Sequence, residues 1–147
     1  MAVFLFIVIG VIIGSVWVTA KQEPLRSEAR FDLKLINSLE APAEREKFDC
    51  RDKVYAQIKW YDLPAGPHSL EARWFNPDRR LQETTKDDFT SLGRKISYTR
   101  VWLKMLPRTE NELTGPDDEF AWAVGDWRVE IYLDGRLLSK KSFQVDC

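Results

Sequence analysis

A run of nineteen uncharged residues, Ala2 to Ala20 (AVFLFIVIGVIIGSVWVTA), opens the chain and gives way at once to Lys21, Gln22 and Glu23. As a helix rising about 1.5 Å per residue it would extend ~28 Å, close to the roughly 30 Å hydrocarbon core of a bilayer. The sequence therefore predicts a transmembrane anchor over residues 1–20, with the other 127 residues held at a membrane surface. A cleavable secretory signal is the alternative, because Val18-Thr19-Ala20 would serve as its cleavage site. Against it, no Lys or Arg precedes the run, which exceeds the usual apolar core of about 7–15 residues. The retained anchor is the reading adopted. No cysteine stands near the end of the run, so a lipid-modified amino terminus is not available.

Gly10 and Gly14 have the G-x-x-x-G spacing, with Ser15 beside them, and small residues let two helix backbones approach closely in lipid. They are the candidate helix-packing residues, although glycine is also simply commoner in membrane helices. Trp17 falls where an interfacial aromatic would fix the depth of the helix.

Two signals oppose each other on orientation. Lys21, Arg26, Arg30 and Lys34 all follow the span, which by the positive-inside rule favours a cytoplasmic domain. The two cysteines, Cys50 and Cys147, stand at the start and the last residue of what reads as the folded domain, in the similar settings Phe48-Asp49-Cys50 and Val145-Asp146-Cys147. Joined, they would remove chain entropy worth about 4–5 kcal/mol and pin a terminus that otherwise frays. Two unrelated free thiols are the alternative. A disulfide implies an oxidising compartment, so the expectation is a single-pass membrane protein with a periplasmic or extracytoplasmic domain, and the positive flank is the objection to it.

Residues 21–47 read as a polar juxtamembrane linker containing a short strand or extended arm, Arg30 to Ile36, and residues 48–147 as one compact domain. Within that domain the apolar period is two. Val54, Ala56, Ile58 and Trp60 share one face, as do Leu70, Ala72 and Trp74 before Asn76-Pro77-Asp78. Leu81 to Thr85 suggests a short return strand. Ile96 to Met105 puts Thr99, Val101 and Leu103 on one face and Tyr98, Arg100 and Trp102 on the other. Trp127, Val129, Ile131 and Leu133 alternate up to Asp134-Gly135, a strong hairpin signal, and Leu137 to Val145 is the return strand. Strict register would throw Phe143 and Val145 onto the wrong face, which predicts a bulge or longer turn within Leu138 to Lys141. Short strands separated by Gly/Pro turns give the fold class: mainly β, an antiparallel sandwich behind a single transmembrane helix, with no other helix of length. Cys50 on the first strand and Cys147 on the last would join the ends of the sandwich.

The closing stretch Gly125-Asp-Trp-Arg-Val-Glu-Ile-Tyr-Leu-Asp-Gly135, continued by Leu137, Leu138 and Phe143-Gln-Val145, resembles the final hairpin of immunoglobulin-like domains in bacterial membrane-anchored envelope proteins. The resemblance implies a fold and a compartment and carries no catalytic or ligand residue with it.

Reactive chemistry is sparse. His68, the only histidine, sits in Gly66-Pro67-His68 and reads as a solvated turn residue. G-x-S-x-G, P-loop, H-E-x-x-H, C-x-x-C and C-x-x-C-H are all missing from the sequence. Asp87-Asp88 and Asp117-Asp118-Glu119 read as solvated loop charge without the ligand spacing of a calcium loop. No catalytic residue, metal, cofactor or small-molecule substrate is expected, and a formal charge of −1 argues against nucleic acid. Five tryptophans in the last 100 residues exceed the need of a small core, and Tyr98, Arg100 and Trp102 form the candidate protein contact. The expected function is that of a non-catalytic accessory subunit, its helix docked in a larger integral membrane complex such as a respiratory or photosynthetic one, and its sandwich covering the periplasmic face. The alternative is a membrane-anchored module that captures a soluble protein or peptide at a sheet edge or on the Pro107–Glu119 loop.

Overall fold

Residues 29–106 and 120–147 are described by a computed structural model. The apolar run with Gly10, Gly14, Ser15 and Trp17, and the stretch Pro107 to Glu119, lie outside the described residues. Among the described residues no helix is long and apolar enough to cross a membrane.

The two-residue alternation becomes eight strands: β1 (Arg30–Ile36), β2 (Lys47–Asp49), β3 (Lys53–Tyr61), β4 (Gly66–Phe75), β5 (Leu81–Ser91), β6 (Ile96–Lys104), β7 (Gly125–Leu133) and β8 (Arg136–Asp146). They form one sheet in the order β1-β3-β6 and a second in the order β2-β8-β7-β4-β5. Neighbours are antiparallel except β2 and β8. The chain thus leaves the first sheet after β1 and crosses residues 37–46 to join the second through β2. This order matches an immunoglobulin-type sandwich in which β1, β3 and β6 take positions A, B and E, and β8, β7, β4 and β5 take G, F, C and C′.

The inward residues are those the alternation selects. Val54, Ala56, Ile58 and Trp60 of β3 and Val101 and Leu103 of β6 are buried against Leu70, Ala72 and Trp74 of β4 and Trp127, Val129 and Ile131 of β7. A buried indole must place its N–H as well as its rings. Trp60 Nε1 donates to Thr99 Oγ1 at 2.8 Å, Trp74 Nε1 to Thr85 Oγ1 at 2.9 Å and Trp127 Nε1 to the Ala123 carbonyl at 2.6 Å. The last contact explains the 3-10 turn Ala121–Ala123 just before β7. Phe143 joins these rings, edge-on to Trp74 at 6.2 Å and stacked on Trp127 at 6.1 Å.

Asp134 and Gly135 both have positive φ, 51° and 79°, the two-residue turn whose twist suits a hairpin. Tyr132 pairs with Leu137 but Ile131 pairs with Ser139, so Leu138 is the extra residue of a bulge. That one insertion returns Phe143 and Val145 to the buried face, at 3% and 0% exposure.

Three expectations need correction. The segment from Arg30 to Ile36 is a full strand of the sheet, with Leu33, Leu35 and Ile36 buried, so the strands of the sandwich begin at Arg30 rather than near Phe48. Its polar flanks concealed this, and its pairing with β3 decides it. The return strand read as Leu81 to Thr85 runs on to Ser91, so Asp87 and Asp88 are strand residues, not loop. β5 is an edge strand whose side chains mostly meet water, and its sequence carries little apolar alternation. Cys50 lies in the turn after β2 rather than on the first strand, and it is joined to Cys147, with Cα atoms 5.2 Å apart. The parallel register explains the pairing: Asp49 stands opposite Asp146, so the residue after each strand meets its counterpart.

Candidate interaction surface

The two outer faces of the sandwich treat charge in opposite ways. On the five-stranded sheet, Arg73 stands opposite Glu130 and Glu71 opposite Lys86. Glu71 takes Arg73 Nε at 2.6 Å and Lys86 Nζ at 3.0 Å, and these two cations lower its pKa, Lys86 first. Glu130, only 6% exposed, lies between Lys140 Nζ at 3.0 Å, Arg128 at 3.4 Å and the Tyr132 hydroxyl, which donates to it at 2.8 Å. Burial opposes the Glu130 charge, but Lys140 and Tyr132 outweigh it and its pKa falls. Arg73 and Arg128 also lie over the rings of Tyr132 and Phe75, 4.3 and 4.5 Å from their centres. On this face the two carboxylates Glu71 and Glu130 are each met by two cations.

The three-stranded sheet does not. Its outward row on β6 is Ile96, Tyr98, Arg100, Trp102 and Lys104, and on β3 it is Lys53, Tyr55, Gln57, Lys59 and Tyr61. Tyr98 and Trp102 are 52% and 48% exposed, and Ile96 beside them 47%. Lys53 holds its ammonium 4.4 Å from the Trp102 ring centre and 5.3 Å from that of Tyr55, while Lys59 lies 5.0 Å from that of Tyr61. Neighbouring Tyr61, and then Tyr98, raise the Lys59 pKa. Arg100 Nε donates to Gln57 Oε1 at 3.1 Å. Lys53 and Lys104 are direct cross-strand partners, a like-charge pairing that costs stability. Among the described residues no carboxylate lies within ion-pair distance of Lys53, Lys59, Arg100 or Lys104. Only Asp32 faces this row from β1, and it sits 3.9 Å from Lys34. Asp32 is the cross-strand neighbour of Lys59 but makes no ion pair with it, so cations resting on aromatic rings outnumber the one acid and form a surface suited to an anionic partner.

Sequence alternation had placed Tyr98, Arg100 and Trp102 together, and the structure keeps them on one exposed row. It missed that β3 contributes Lys53, Tyr55 and Lys59 to the same surface. The signal was present in the second face of β3, but nothing local pairs Tyr55 with Trp102. His68 also differs from expectation. Its side chain is 12% exposed, with Nδ1 2.8 Å from Asp134 Oδ2 and Nε2 3.0 Å from the Pro64 carbonyl. Asp134, 66 residues away, is the hairpin residue, and it also takes the Ser69 N–H on its other oxygen at 2.8 Å. The histidine is therefore a clasp between the β7–β8 turn and the start of β4, not a solvated turn residue.

Both His68 ring nitrogens face acceptors, so the doubly protonated form satisfies both. Burial opposes that charge, yet the Asp134 carboxylate and the Pro64 carbonyl outweigh it and raise the pKa. Stability from this pair is then fully present below the unfolded value of about 6.5 and is lost as pH climbs through the raised folded value. Urea midpoints measured across that window should fall with rising pH, and His68→Gln should flatten the dependence. A wild-type midpoint that rises with pH there would contradict the assignment.

Among the described residues no group of three or more His, Cys, Asp or Glu side chains is placed to hold a metal ion. Asp87 and Asp88 are edge-strand residues, while Asp117-Asp118-Glu119 lies outside the described residues.

No family model and no curated protein matches the sequence. Solved structures do resemble the fold. One is the alkylpurine DNA glycosylase AlkC of Pseudomonas fluorescens bound to abasic-site DNA, with TM-score 0.52 and 11% identity over 82% of this chain and 31% of that one. Another is a β-glucosidase from Listeria innocua in complex with glucose, with TM-score 0.52 and 12% identity over 92% of this chain and 20% of that one. An immunoglobulin-like protein of Pseudomonas aeruginosa aligns over its whole length and 84% of this chain, at TM-score 0.43 and 15% identity. This chain thus spans about a third and a fifth of the two enzymes. At such identity the likeness is one of fold, and the class it supports is a β-sandwich.

Proposed function

We propose that this protein is a membrane-tethered, non-catalytic interaction subunit that docks a larger membrane complex through the outer face of the β1-β3-β6 sheet. The observation that carries the reading is the contrast between the two faces: on one, Glu71 and Glu130 are each paired with two cations, while the other exposes Tyr98 and Trp102 among Lys53, Lys59, Arg100 and Lys104, none of which is ion-paired among the described residues. The apolar run at residues 2–20 supplies the tether, with Gly10, Gly14 and Ser15 as its packing positions and Trp17 at the interface. The disulfide supports an oxidising compartment, which for a bacterial inner-membrane protein is the periplasm.

The test is purification of the full chain from its own membranes in mild detergent. The expected result is a stoichiometric larger membrane partner, retained by the wild type and lost from the Tyr98→Ala/Trp102→Ala variant, whose folded stability stays within about 0.5 kcal/mol because both residues are surface positions. A chain that migrates alone, or a variant that keeps its partner, overturns the reading.

A further inference from the structure

Each sheet has two edges, and three of the four are blunted. On β1, the Leu33 carbonyl takes Lys141 Nζ and the Leu35 carbonyl takes the Arg45 N–H. β2 is only three residues long. β5 carries charge at Glu83, Lys86, Asp87 and Asp88 and shifts register near Trp74 and Phe75 of β4. Such devices keep an edge from pairing with a foreign strand. β6 is different. It runs nine residues, pairs only with β3, and sets Ile96, Tyr98 and Trp102 along its exposed row beside charge of one sign, Arg100 and Lys104, where β5 mixes both signs. Among the described residues nothing pairs with its second side, where every other residue turns its N–H and C=O away from β3.

Between the β5 and β6 edges lies a cleft of about 450 Å³, lined among others by Phe89, Ser91, Ser97 and Thr99. The Ser97 hydroxyl is buried there without a hydrogen-bond partner. A strand laid on β6 would project alternate side chains into this cleft and onto the aromatic and basic row. The cleft mouth holds Arg94 and Arg100 against the single carboxylate of Asp87, and Lys104 and Lys53 continue the positive charge along the row.

We infer that β6 is a docking edge that takes an extended, acidic segment of a partner polypeptide by strand addition, with carboxylates over Arg100 and Lys104 and small or apolar side chains entering the cleft. This rests on the interaction-subunit reading and specifies how its contact is made. A second copy of this chain is the poorer occupant. An antiparallel β6–β6 pair centred on Arg100 sets that residue against itself, and one centred on Trp102 sets Arg100 against Lys104, and like charges directly opposite are destabilising.

The probe is a capped seven-residue peptide of alternating Glu and Val, titrated to about 1 mM onto the isotope-labelled full chain in detergent micelles, with a Lys/Val peptide as control. Amide shifts of residues 96–104 report the edge. The Glu/Val peptide should move the β6 amides that face away from β3 and leave β5 unmoved, and the Lys/Val peptide should move neither. Arg100→Glu/Lys104→Glu should weaken the Glu/Val response about tenfold or more. Three outcomes overturn the inference: no β6 response to Glu/Val, an equal response to both peptides, or amides on the side of β6 away from β3 that in the free chain are already slow to exchange or shift with protein concentration, meaning this chain or its copy covers the edge. If the membrane partner still co-purifies in any of these cases, the interaction reading stands and only the mode of contact falls.

Discussion

Replacing Cys147 with serine should lower the stability of the folded domain by about 2–5 kcal/mol. The bond to Cys50 closes a loop spanning 97 positions, and chain-entropy arithmetic for a loop near 100 residues gives about 4.7 kcal/mol at ambient temperature. Cys50 is 1% exposed, and the bond clips the three-residue β2 to the end of β8. So short a strand pairs durably only if something else holds its register, and here the covalent link supplements Phe48, which is buried and edge-on to Phe143 at 5.5 Å. Total stability of a domain this size is of order 5–15 kcal/mol, so the loss is a large fraction of it. Urea unfolding of the wild type with and without reductant, beside Cys147→Ser, is the measurement. Coincident transitions in all three samples would show that the link does not contribute.

Trp60→Ala should cost about 3–5 kcal/mol, the range for removing a large aromatic from a packed core. Trp60 has no exposed surface, lies 6.0 Å from the Phe31 ring centre and donates its N–H to Thr99. Truncation leaves a cavity in the middle of the sandwich and a buried threonine hydroxyl short of one partner. A companion change, Thr99→Val, keeps the ring but orphans the indole N–H, and should cost roughly 1–3 kcal/mol. Trp102→Ala, on the outward face of the neighbouring strand, should stay within about 0.5 kcal/mol. Chemical unfolding of the three variants orders them. Equal losses for Trp60→Ala and Trp102→Ala would contradict the assignment of their faces.

How much was legible in advance follows from which forces act locally. The faces of β3, β4, β6 and β7 could be read because a strand must alternate, and one water-shy side suffices to reveal it. The bulge at Leu138 was legible for the same reason: Phe143 and Val145 had to be inward, and no straight register puts them there. β5 was read too short because an edge strand needs no apolar face, and its partner β4 supplies what holds it. The clasp of His68 on Asp134 was invisible because its two members are brought together by strand order alone. That the outward positions of β3 and β6 hold no acid follows from alternation alone, whereas which strands share that face does not. Only cross-strand register shows that Glu130 meets Lys140 while Lys53 meets Lys104.

Alternation and turn residues are properties of neighbouring side chains, so the sequence by itself determined that this chain makes a β-sandwich and which residues of its central strands point inward, while the two cysteines left open whether they are joined. The sheet each strand joins, the edge left open and the charges left uncompensated depend on contacts between residues tens of positions apart. Those were decided by the tertiary structure, because backbone pairing and burial are settled only when the two sheets close on one another.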